Sequence, residues 1–86
     1  MSPWSVRLTA EAVSDLAKLD PAVASRVIRR LKQSLSDPFR DFERLRGGKV
    51  GWKLRVGDWR LLARLDDSRR EIEVDAVGHR STVYDR

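Results

Sequence analysis

Apolar and polar positions alternate at the start of the chain, where Trp4, Val6 and Leu8 are separated by Ser5 and Arg7. A period of two with one apolar side predicts a strand with one buried face. The period then lengthens. Thr9 suits a helix N-cap, and the helix predicted from Ala10 to about Leu19 carries Val13, Leu16 and Ala17 on one side. Asp20 followed by Pro21 predicts a second helix start, because the first turn has no use for the N–H that proline lacks. From Pro21 to about Leu35, the residues Ala24, Val27, Ile28, Leu31 and Leu35 recur at helical spacing, while Arg26, Arg29, Arg30 and Lys32 form a solvated face.

Ser36-Asp37-Pro38 closes that helix. No period holds from there to Gly51, and an irregular connection is predicted, anchored to the core by Phe39, Phe42 and Leu45. Alternation returns with Trp52, Leu54 and Val56 on one side and Lys53 and Arg55 on the other. Gly57-Asp58 fits a two-residue hairpin turn with glycine first. The return strand, Trp59 to Asp66, puts Trp59, Leu61, Ala63 and Leu65 on the core face. A second turn falls at Asp67 to Arg70, and a last strand from Glu71 to Val77 turns Ile72, Val74 and Ala76 inward. This order predicts an α+β fold: a small single domain over residues 1–86, with an N-terminal strand, a two-helix hairpin on one face, and a three-stranded antiparallel meander.

Composition narrows the function classes. A chain of 86 residues has room for one core. With no cysteine and a single histidine, His79, neither disulfides nor a zinc site is expected, and no cofactor is implied. No apolar run approaches the ~20 residues of a membrane helix and no leader pattern opens the chain, so a cytoplasmic protein without membrane contact is expected. The net charge of +5 suggests a polyanionic partner. Its distribution says more. Between Arg44 and Arg64 seven bases face one acid, Asp58, and the rest of the chain is close to neutral.

Strand register decides where these charges meet. A two-residue turn pairs Arg55 with Arg60 on the non-core face, a like-charge neighbourhood that costs about 0.2–1 kcal/mol. Across the second turn the register pairs Asp66 with Glu71, Arg64 with Glu73, Leu62 with Asp75, and Arg60 with Val77. Arg64 is then balanced, whereas Arg60 is uncompensated and lies beside Gly78-His79-Arg80. Converging cations of this kind suit a phosphodiester. Two side chains nearby qualify as proton carriers. A phenol such as Tyr84 is a poor base at neutral pH unless cations stand beside it. The imidazole of His79 needs no such help.

The segments Leu45-Arg46-Gly47, Trp52-Lys53-Leu54-Arg55-Val56-Gly57-Asp58-Trp59-Arg60, Val77-Gly78-His79-Arg80 and Val83-Tyr84 resemble the RelE family of the RelE/ParE toxin superfamily. With the preceding strand and helices, the resemblance covers nearly the whole chain. It implies a RelE-like microbial ribonuclease fold and the toxin of a type II toxin-antitoxin system. Such a toxin is a metal-independent, ribosome-dependent endoribonuclease that cleaves mRNA in the decoding site, with a RelB-like antitoxin as partner.

The resemblance also implies roles. Tyr84 activates the ribose 2′-OH, Arg60 holds the phosphate as charge builds, and Arg80 assists the leaving 5′ oxygen. Lys53 and Arg55 bind phosphate, with Lys49 and Arg46 as further contacts. Two departures stand out. Gly51 occupies a place where well-known members carry a second lysine, with Lys49 as its substitute, and His79 stands where others often have lysine, so the proton role falls to Tyr84 or His79. The main rival is the ParE branch, which shares the fold but inhibits DNA gyrase and cleaves nothing. A basic RNA-binding module without catalysis is a third reading.

Overall fold

The computed structural model describes residues 3–47 and 51–85. The fold is α+β, with one five-stranded sheet: Ser5–Leu8 (β1), Glu71–His79 (β5), Trp59–Asp66 (β4), Trp52–Val56 (β3) and Glu43–Arg44 (β2), in that spatial order. Strand β1 (Ser5–Leu8) leads into helices α1 (Ala10–Lys18) and α2 (Pro21–Ser34). Both starts follow from their caps. Thr9 accepts the Ala12 N–H, and Asp20 accepts the Ala22 N–H with Pro21 in the first turn. Strands β3 (Trp52–Val56), β4 (Trp59–Asp66) and β5 (Glu71–His79) form the predicted antiparallel meander. β1 completes the sheet by pairing parallel to β5.

The connection after α2 is more regular than its sequence implies. Pro38–Asp41 form a short helix, α3, capped by Asp37, and Glu43–Arg44 form β2 at the sheet edge against Lys53 and Trp52. Phe42 is buried as expected. Phe39 stays largely exposed, its ring set edge-on to Trp4 and Trp52.

The core lies between the helices and one sheet face, where Val27 and Leu31 of α2 meet Leu54, Leu61, Ala63, Ile72, Val74 and Val77. Ile28, expected in that row, lies at its exposed margin. The buried face of α1 differs from the prediction. Val13 is 52% exposed and Ala17 is exposed, while Ala12 and Asp15 point inward. Asp15 is 4% exposed, and its Oδ2 accepts the Val77 N–H at 2.9 Å. β1 ends opposite Val74, so beyond that point the edge of β5 has lost its strand partner. The Asp15 carboxylate takes over as acceptor there.

The β4–β5 register also departs from strict alternation. Pairing runs as predicted from Asp66↔Glu71 to Ala63↔Val74, then slips between Ala63 and Leu62, so that Leu62 meets Ala76, Leu61 meets Val77 and Arg60 meets Gly78. Asp75 is the extra residue of a β-bulge. Its carbonyl accepts the Thr9 hydroxyl at 3.2 Å. Every later side chain is thereby moved to the opposite face from the one strict alternation assigns: Val77 enters the core, while Ala76, buried as expected, and Gly78 lie on the other face of the sheet.

Candidate functional site

The β3–β4 hairpin carries three of the predicted site cations, Lys53, Arg55 and Arg60. Gly57 takes φ +61°, the left-handed value that the first position of such a turn needs. Val56 pairs with Trp59, Arg55 with Arg60 and Leu54 with Leu61, as the turn type requires. Lys53, Arg55 and Arg60 therefore share the open face of the sheet.

Arg60 differs from expectation in its surroundings. It is 6% exposed, and its Nη1 donates to the carbonyls of Gly57 and Trp59 at 2.8 Å each. Among the described residues it has no carboxylate partner, but its guanidinium is fixed by the hairpin backbone. Arg55 is exposed and lies 3.6 Å from Glu43 across β3 and β2. Arg80 donates its backbone N–H to the Asp58 carbonyl at 2.8 Å, and its Nε stands 3.8 Å from the Asp58 carboxylate. Both of these ion pairs are solvated, and pairs of this kind are worth little.

The C-terminal residues reach the same face. Val83–Asp85 form a 3-10 turn in which Val83 is 1% exposed. Gly78 is its seat, since a Cβ at that position would lie 3.3 Å from the Val83 side chain. The next residue, Tyr84, is half-buried, with the Lys53 Nζ 5.8 Å from its ring centroid. That distance is within cation–π range.

His79 does not join this group. It pairs with Trp59 and sets its ring edge-on to the Trp59 indole at 5.4 Å, on the helix side of the sheet. Its Nδ1 accepts the Ser81 N–H at 3.2 Å and lies 2.8 Å from the Ser81 hydroxyl, which ties down the turn that follows. Arg46 is exposed in the bend after β2, and Lys49 lies outside the described residues. The glycine at position 51 has a local cause. It adopts φ +117°, and a Cβ there would stand 3.1 Å from the Ala63 carbonyl oxygen, so no lysine fits without moving backbone.

The apolar side predicted for α1 leaves out Asp15. Its signal was spacing: Ala12, Asp15, Leu16 and Leu19 fall at i, i+3, i+4 and i+7, one helical stripe.

A mixed sheet with two helices on one face and a basic hairpin beside a C-terminal tyrosine on the other defines a RelE-like toxin architecture. The family model of the ParE toxin of the type II toxin-antitoxin system matches residues 6–84, and the chain belongs to this toxin family. It is 36% identical to toxin RelG of Mycobacterium tuberculosis over 98% of this chain and 99% of that one. Among solved structures it is similar to the RelBE2 toxin–antitoxin complex of the same organism, with TM-score 0.82 and 32% identity, covering 91% of this chain and 99% of the other. The intact Escherichia coli RelBE complex shares the fold, with TM-score 0.72 and 24% identity over 88% of this chain and 95% of that one.

Proposed function

We propose that this toxin is a ribosome-dependent endoribonuclease that cleaves mRNA in the decoding site. One observation carries the reading. Tyr84 sits beside Lys53 on the sheet face that also bears Arg55 and Arg60, so a proton carrier and phosphate-binding groups share one surface. In this reaction the ribose 2′ oxygen bonds to the adjacent phosphorus and the bond to the 5′ oxygen breaks, leaving a 2′,3′-cyclic phosphate and a free 5′-OH. Tyr84 takes the 2′-OH proton. Arg60 meets the charge that builds on the phosphate. Its anchored Nη1 means that little reorganisation is needed when that charge appears. Arg80, at the hairpin end, stabilises the departing 5′ oxygen, which takes its proton from solvent, and Lys53 and Arg55 hold flanking phosphate.

The partner we assign is a RelB-like antitoxin, the component found with the toxin in the RelBE complexes above. An apolar groove of about 410 Å³ between β1 and the two helices, lined by Trp4, Val6, Leu8, Leu16, Ile28 and Leu31, suits an amphipathic helix of such a partner. We place the toxin's action in the cytoplasm, where translating ribosomes are; no helix among the described residues is long and apolar enough to cross a membrane.

A second reading has its own support. The matching family model is that of ParE toxins, and under that reading the cationic surface binds DNA gyrase and no RNA bond is broken. Induced expression followed by mapping of mRNA 5′ ends separates the two. New 5′-OH ends inside translated codons are expected. Intact mRNA together with gyrase-linked DNA breaks would replace the nuclease reading with the ParE one.

A further inference from the structure

The β3–β4 turn is approached by a second guanidinium that the site above does not use. Arg26 extends from α2, on the helix side of the sheet, and a Cβ at position 57 would lie 3.0 Å from its Nη2. A side chain at 57 would push the guanidinium back by a few tenths of an ångström, so the glycine leaves room for the approach as well as making the turn. Arg60 donates to the carbonyl of the same residue at 2.8 Å. Residue 57 thus holds one arginine against its Cα and another on its oxygen.

Arg55 and Arg80 stand close by, each with one exposed carboxylate neighbour: Glu43 is 3.6 Å from Arg55, and Asp58 of the turn is 3.8 Å from Arg80. Among the described residues neither Arg26 nor Arg60 has a carboxylate within ion-pair distance. Like charges packed around one turn repel each other, and the arrangement becomes favourable when an anion enters. The positive surface also continues, because Arg29 lies one helical turn beyond Arg26 and is exposed.

We propose that Arg26 is a phosphate-binding residue, and that the RNA-contacting surface runs from Tyr84 and Lys53 round the hairpin tip onto α2. This rests on the RNA-cleaving reading. Arg26 approaches from the helix side of the sheet, whereas Lys53 and Tyr84 stand on the open side. The two groups therefore serve different phosphates. The phosphate at Arg26 belongs to folded RNA of the ribosome and not to the cleaved linkage.

The test is equilibrium binding of the toxin to ribosomes programmed with an mRNA whose decoding-site nucleotides are 2′-deoxy, so that nothing is cut, measured across a salt series. Arg26→Ala should weaken binding about three- to tenfold near 0.1 M salt and lower the slope of log K against log salt by about one. Arg26→Lys, which keeps the charge, should recover the slope. Arg69→Ala removes the same charge at the opposite end of β4 and should bind as the wild type does. Arg26→Ala with the affinity and salt slope of Arg69→Ala would overturn the inference alone. A wild type with no affinity for ribosomes would remove the RNA-cleaving reading, and this inference with it.

Discussion

Two ends of one sheet face use arginine in opposite ways. Where β1, β5 and β4 run together, Arg7 and Arg64 both bond to Glu73, Arg64 also meets Asp75 at 2.8 Å, and Arg7 approaches Glu71 at 3.9 Å. Each charge there has an opposite within reach. At the β3–β4 end, Arg60 rests on backbone carbonyls, and Lys53 faces an aromatic ring. A basic residue marks a candidate site only once its carboxylate neighbours have been located. The first end is a solvated network that holds strands together; at the second, Arg55 and Arg80 have single exposed carboxylate neighbours, and Arg60 has none among the described residues.

Four substitutions probe this contrast. The largest effect is expected from Tyr84→Phe, which should slow mRNA cleavage by about 10²–10⁴-fold. His79→Ala, on the helix side, should leave cleavage near wild type. Reversal of that order in a cleavage assay would move the proton role to the histidine. Next comes an exchange between the two ends. Arg60→Ala should reduce cleavage by about 10²–10³-fold, and unpairing two hairpin carbonyls should lower unfolding stability by about 1–3 kcal/mol. Arg64→Ala should leave cleavage unchanged and cost under about 1 kcal/mol in the same denaturant titration.

The smallest effect concerns acid stability. The hydrogen bond from Arg7, aided by Arg64, holds the Glu73 carboxyl below the usual carboxylate range despite partial desolvation. A lowered folded-state value means that the unfolded chain binds the proton first as pH falls. Stability from Glu73 is therefore complete above the ordinary glutamate range and is lost as pH drops through the lowered value. Glu73→Gln should flatten that acid limb in a pH series of thermal melts while leaving cleavage at neutral pH unchanged.

Much of this was legible in the chain. Asp20-Pro21 and Gly57-Asp58 carry their local geometry in their own side chains, so the α2 start and the hairpin register follow from sequence. Short-range turn chemistry also fixed the pairing of Arg64 with Glu73. What failed depended on distant partners. No local feature announces that β1 stops opposite Val74, which is what calls a carboxylate from α1 to Val77. The slip at Asp75 likewise depends on contacts across the fold, including the Thr9 hydroxyl. For the same reason the sequence puts Arg60 on the correct face but not on its seat at the turn, and puts Arg26 correctly on the exposed face of α2 but not beside Gly57.

The bulge at Asp75 behaves as a phase slip in an otherwise periodic lattice. With the ladder in phase, the branched Val77 would stand across from Arg60; out of phase, that place goes to Gly78, the residue that leaves a vacant berth. Val83 moors there and sets the tyrosine down one step further on. The location of a would-be catalytic side chain at one end of the chain is thus timed by a single supernumerary residue nine positions earlier.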